Sequence, residues 1–168
     1  MKLPSCKSLV SLLALSLPLT GICAEEPNDP SWTKAADNKI YAQTLVNEAL
    51  AKNPEIVVIG IHATKPGSND ERMIAANLDR IGKMDDDDDK AGAVDGKTVL
   101  APNLTETDKF EVLIPMHDAG GQIIGAIAFV FKYHPGEDQV NFLVQATRIR
   151  DQFAKQLSSK DDLFKVSE

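Results

Sequence analysis

The sequence predicts an α+β domain: a five-stranded antiparallel sheet with an N-terminal and a C-terminal helix packed on one side. Three observations carry this. Apolar residues recur at three- and four-residue spacings toward both ends of the chain, Val-, Ile- and Phe-rich segments lie between them, and the turns joining those segments are too short for parallel crossovers.

Ser31 opens a segment free of Pro and Gly that runs to Asn53. Within it Ala35, Ala36, Ile40, Ala42, Leu45, Val46, Ala49 and Leu50 form an apolar stripe between Asp37, Lys39, Asn47 and Lys52. This is a long amphipathic helix, with Ser31 as its N-cap and Asn53-Pro54 as its stop. From Glu55 the period changes. Val57, Ile59 and Ile61 fall on one face and Ile56, Val58, Gly60 and His62 on the other, so this strand is covered on both sides. A turn cluster over 64–70 leads to a second strand at 72–78, an acidic stretch, a weak strand at 97–100 and the Pro102-Asn103 turn. Phe110, Val112, Ile114 and Met116 alternate on one face of a fourth strand. The turn Asp118-Ala-Gly-Gly121 then reverses the chain into a fifth strand at 122–133, apolar on both faces. After His134-Pro-Gly136, Phe142, Ala146, Ile149, Phe153 and Leu157 line a helix whose outer face holds Arg148, Arg150, Asp151 and Lys155.

The chain opens with Lys2 and Lys7, then an apolar run from about Leu9 that stops before Glu25. That layout is a secretory signal peptide over residues 1–24, too short and too interrupted by Pro18 for a comfortable membrane span. A lipid-modified Cys23 is disfavoured by the bulky Ile22 before it. The expected division is therefore a signal peptide at 1–24, a tether at 25–30, one domain at 31–157 and a polar tail at 158–168 that frays outside Leu163-Phe164. Cys6 and Cys23 both fall in the removed segment, which excludes disulfides, thiol catalysis and cysteine-bound metals from the exported chain. Without Lys2 and Lys7, sixteen of the 18 basic residues remain against 25 acidic ones, a net charge near −9. Nucleic acid and anionic membrane are poor partners for such a surface.

The hairpin Pro115-x-x-Asp118-x-x-Gly121-x-x-Ile124-Gly125, a long helix before the sheet and export together resemble the extracytoplasmic PAS-like domains called Cache sensors. The resemblance spans residues 31–157. The segments His62-Ala-Thr-x-Pro66-Gly67, Ile74-Ala-Ala-Asn77 and Arg80-Ile-Gly82-Lys83 are similar to those of secreted members. It implies a PAS-like sheet with a small-molecule pocket between one face and the loops joining the second to fourth strands. Typical members feed a transmembrane helix and a cytoplasmic signalling module; here nothing of that kind follows the last helix. The expectation is a solitary periplasmic or secreted ligand binder, with a membrane receptor or another periplasmic protein as partner and no insertion of its own after signal cleavage.

Asp85-Asp-Asp-Asp-Asp89 invites a metal reading. Counted from Asp85, however, the sixth and twelfth positions of a calcium loop hold Lys90 and Gly96 where Gly and Glu are required. The run is expected to be a solvated loop, some of whose aspartates cap a short helix, and no metal ligand or cofactor is assigned. Among three scattered histidines His62 is singled out, because Gly60 on its face makes room beside the sheet and an imidazole both donates and accepts. Arg72 suits a carboxylate, Asn77 offers a donor and an acceptor, and Arg80 and Lys83 border the same strand. Tyr133 is placed at the rim of the pocket. No nucleophile elbow, zinc-hydrolase motif or phosphate loop is present, so the chain is expected not to be an enzyme.

The leading function is a sensor-like domain binding a small, carboxylate-bearing molecule. Two alternatives are an adaptor whose pocket has degenerated into a contact surface, and a cation-dependent enzyme using the acidic run.

Overall fold

The structure, a computed structural model, describes residues 29–102 and 106–167. The expected signal peptide at 1–24, Cys6, Cys23 and most of the tether at 25–30 lie outside the described residues, as does Asn103.

The elements run α1 (Tyr41–Lys52), β1 (Ile56–Thr64), β2 (Glu71–Ala76), α2 (Asp87–Ala93), β3 (Val99–Pro102), β4 (Lys109–His117), β5 (Ile123–Lys132) and α3 (Gln139–Ala154). The strands form one sheet in the order β2-β1-β5-β4-β3, each neighbour antiparallel. β1 and β5 are central, and both are apolar on both faces as their sequences demand.

The main core lies between one face of the sheet and the pair α1 and α3. Ile59, Ile61 and Ala63 of β1, Val112, Ile114 and Met116 of β4, and Phe129 and Phe131 of β5 pack there with Leu45, Val46, Ile149 and Phe153. Phe142 of α3 closes one end, its ring 5.4 Å from that of Phe110 and 5.1 Å from that of Phe131. Each such buried side chain stabilises the fold by about 1.5–3 kcal/mol.

The acidic run caps a short helix, as expected, although Asp85 is buried and not solvated: Asp86 accepts from the backbone N–H groups of Asp88 and Asp89 at 3.1 Å each, and Asp89 reaches back to the Asp86 N–H at 3.3 Å. This capping box, with Asp87 and Asp88 at the positive end of the helix dipole, starts α2. One feature departs from the expected one-sided arrangement: α2 covers the face of the sheet opposite α1 and α3, where Ala93 packs with Leu113, Ala126 and Ala128. Gly92 makes that approach possible, because a Cβ there would lie 3.1 Å from the Ala126 Cβ.

The N-terminal helix is also shorter than expected. It begins at Tyr41, with no side-chain cap at Ile40, after a short 3-10 turn at Ala35–Asp37. Long-range pairing wins over local helical periodicity here. The Thr33 N–H donates to the Ile81 carbonyl at 2.8 Å, Ile40 bridges to Val166, and the Asn38 amide reaches the Ile74 carbonyl at 2.9 Å.

The described residues after α3, up to Ser167, are likewise held by contacts where fraying was expected. A 3-10 helix at Lys160–Phe164 places Leu163 fully in the core, and the Ser167 N–H donates to the Lys39 carbonyl at 2.9 Å. Asp162 organises this segment by accepting from the Ser158 N–H at 2.6 Å and hydroxyl at 2.8 Å while pairing with Lys165. Lys165 and then Ser158 hold its carboxyl well below the usual carboxylate range. A depressed folded pKa gives stability that is complete above the unfolded value, near 3.8, and fades as pH falls below it. Amide exchange at Ser167 should therefore lose protection progressively on acidification below about pH 3.8, and Asp162→Asn should reproduce that loss at neutral pH.

Candidate functional site

His62 lies on the α2 face of β1, near its C-terminal end. A Cβ at Gly60 would sit 3.3 Å from His62 Nε2, so the ring folds into the space that the missing side chain leaves. From the connection after β2 comes Asp85, whose N–H donates to the Glu71 carbonyl at 3.2 Å alongside the Arg72 to Met84 bridge. That pairing turns the Asp85 side chain inward. Asp89 descends from the first turn of α2.

The three converge. His62 Nδ1 is 2.8 Å from Asp85 Oδ1, and His62 Nε2 is 3.6 Å from Asp89 Oδ1. Their side chains are 4 %, 0 % and 15 % exposed respectively. Asp85 Oδ2 is buried without a hydrogen-bond partner. So is Glu71 Oε2, although the other Glu71 oxygen accepts from the Thr64 hydroxyl at 2.8 Å.

Burial opposes a charged imidazole at His62, but the hydrogen bond and charge of Asp85, with Asp89 and Asp86 behind it, outweigh burial and raise the pKa. Burial pushes the Asp89 carboxyl up; His62 pulls it back in part, and Asp86 and Asp85 add repulsion. Glu111, on β4, is raised first by burial and then by Asp89 and Asp86. The pocket under α2 is thus strongly negative around a single imidazole. It favours a cation, whether a proton on His62 or a metal ion.

The other face of the sheet holds a different site. A cleft of about 240 Å3 opens beside β2, lined by apolar Ile40, Ile74, Ile81 and Phe164, by the polar Ser31, Thr33 and Asn38, and by Lys65 and Arg72. No acidic residue lines it. Arg72 Nη1 donates to the Gly82 carbonyl at 2.8 Å, while Nη2 stands 3.3 Å from Asp70 in an exposed pair of small energetic weight. The register sets the sides: Arg72 opposes Ala63, whose side chain enters the main core, whereas His62 opposes Met73.

The residues singled out in the sequence therefore do not form one site. His62 and Arg72 are on opposite faces. Asn77 spends both its groups on β1, accepting from the Ile59 N–H at 3.0 Å and donating to the Val57 carbonyl at 2.9 Å, which extends the ladder past the end of β2. Arg80 and Lys83 flank Ile81 and Gly82, which line the cleft, and do not line it themselves. Tyr133 is at the far end of the sheet, its ring 5.6 Å from Phe110 and 6.1 Å from Phe142, as a partly buried member of the aromatic core. Asp85, Asp89 and Lys65 were not anticipated as site residues. No spacing rule separated Asp85 and Asp89 from the rest of the run, because Asp85 precedes the N-cap Asp86 and lies outside the helix.

No family model and no curated protein matches the chain. Among solved structures it is similar to the nlh2 GAF domain of A. aeolicus in an inactive state, at 13 % identity and a TM-score of 0.52, over 71 % of this chain and 86 % of that one. A looser likeness, with 10 % identity and a TM-score of 0.45, is to a domain of a putative transcriptional regulator of the IclR family, over 71 % of this chain and 95 % of that one. The fold is GAF-like, within the PAS-like class.

Proposed function

We propose that this chain is a small-molecule-binding, sensor-type domain in the extracytoplasmic Cache form of the PAS-like fold, acting by binding and not by turnover. Its ligand is a small carboxylate with an apolar body. The observation that carries this reading is the lining of the cleft beside β2. In a chain of net charge −7, that cleft brings Arg72 and Lys65 to a wall of apolar and uncharged polar residues with no acidic residue. An Arg fork takes a carboxylate in two parallel hydrogen bonds, while Ile40, Ile81 and Phe164 cover the ligand's body. The cleft also touches the residues before α1 and the 3-10 helix after α3, so occupancy acts on both ends of the domain. A periplasmic protein or membrane receptor that reads those ends is the partner this reading implies.

A thermal-shift panel of aliphatic, aromatic and amino acids tests the reading. A binder at about 100-fold excess over its dissociation constant should add about 2.7 kcal/mol of stability. Arg72→Gln should abolish the shift, whereas Lys132→Gln, on an exposed strand end, should not. If no acid stabilises the protein, or if Arg72→Gln leaves the shift intact, the reading fails.

A further inference from the structure

We propose that His62, Asp85 and Asp89 form a binding site for one divalent transition-metal ion, such as Zn2+ or Mn2+, under α2. One ligand atom from each of the three lies within 4.8 Å of the others. Donors at about 2.1 Å on a tetrahedral ion are about 3.4 Å apart, so closure on one ion brings these side chains together by up to about 1.4 Å.

Charge gives the first argument. Asp85 has no side-chain exposure and Asp89 has 15 %, so two carboxylates face one imidazole in a pocket nearly closed to water. Even a protonated His62 supplies one positive charge against two carboxylates. Buried anions are costly unless balanced, and a dication balances this set.

Asp85 Oδ2 is fully buried and has no hydrogen-bond partner, although its sister oxygen is 2.8 Å from His62 Nδ1. A buried carboxylate oxygen without a partner is costly, and coordination to a cation would satisfy it. The 3.6 Å between His62 Nε2 and Asp89 Oδ1 is too long for a hydrogen bond, so Asp89 is not committed to the ring and its oxygen is available to the ion.

The donor set decides the class of metal. One imidazole nitrogen with carboxylate oxygens suits Zn2+ or Mn2+; Ca2+ prefers six to eight oxygens, which this pocket does not offer. Asp89 belongs to α2 and His62 to β1, so the ion would tie the helix to the sheet. This site is on the opposite face from the Arg72 cleft, and either can fail without the other.

The test is titration of the chelator-treated full chain with Zn2+ alone by calorimetry, with Co2+ absorption as a second readout. The expected result is one ion per chain and visible Co2+ bands of low-coordinate intensity. Asp89→Asn and His62→Gln should each weaken binding about 100-fold or more. Asp87→Asn with Asp88→Asn, both exposed in the same run, should leave it unchanged. Should His62→Gln fail to fold, the half-buried Asp89→Asn still decides. The proposal is overturned if wild type binds no Zn2+, if several ions bind weakly, or if the Asp87 and Asp88 changes weaken binding as much as Asp89→Asn does.

Discussion

His62→Ala, measured by urea unfolding in the presence of chelator, should lose about 3–5 kcal/mol, a large fraction of the stability of a domain this size. The reason lies less in the bond removed than in what it leaves. Asp85 already has one buried oxygen without a partner, and without the imidazole both oxygens stand in that condition. Asp85→Ala should cost a similar amount, by stripping the buried ring of its partner. The double variant His62→Leu with Asp85→Leu should be less destabilised than the sum of the single losses, because neither member of the 2.8 Å pair is left buried without its partner. A loss below about 1 kcal/mol for His62→Ala would show that water reaches the pair.

Gly125→Ala should be at least as damaging, by about 3 kcal/mol or more, for a steric reason. A Cβ at Gly125 would lie 2.2 Å from the backbone carbonyl oxygen of His62 and 3.1 Å from the Ala63 Cβ. Backbone oxygen in a central strand cannot yield as a flexible side chain would, so β5 would have to move off β1 beside the His62 cluster. Gly121→Ala, in the same hairpin, provides the contrast: its φ of 83° strains an alanine, but nothing lies within 4 Å of the added carbon. Its cost should be about 1 kcal/mol. Equal losses at the two positions would mean that the hairpin glycines serve only the turn.

Much of the fold was legible because periodicity reports burial. The alternation of Phe110, Val112, Ile114 and Met116 and the stripe of Ala146, Ile149 and Phe153 each appear in the core where their spacing places them. Less was legible where long-range contacts decide. The ladder from Thr33 to Ile81 and from Ile40 to Val166 stops the N-terminal helix from extending back to Ser31, and no local pattern around Ser31 encodes it. The same holds for the tail: Leu163 is buried in the core shared by α1 and α3, and the Ser167 N–H pairs with the Lys39 carbonyl, far away in sequence.

The site was readable in parts. Gly60 beside His62 correctly signalled room for a side chain over the sheet. The aspartate run was harder. Its residues look equivalent in sequence, but Asp86 caps, Asp87 and Asp88 are exposed at the helix start, and Asp85 and Asp89 turn inward to His62. Only the position of the helix start separates these roles. For Arg72 and His62, a one-residue difference in register puts the two on opposite faces, and the bulge at Ile61 and His62 hides that difference from the sequence.

The central claim is that the cleft beside β2 receives a carboxylate. Amide shift mapping by NMR, with the tightest acid of the panel titrated into the labelled protein, tests it most directly. The account predicts saturable shifts at Thr33, Asn38, Lys65, Arg72 and Gly82, with His62 and Asp89 unmoved. Shifts gathered instead under α2 at His62 and Asp89, or none for any acid, would contradict it.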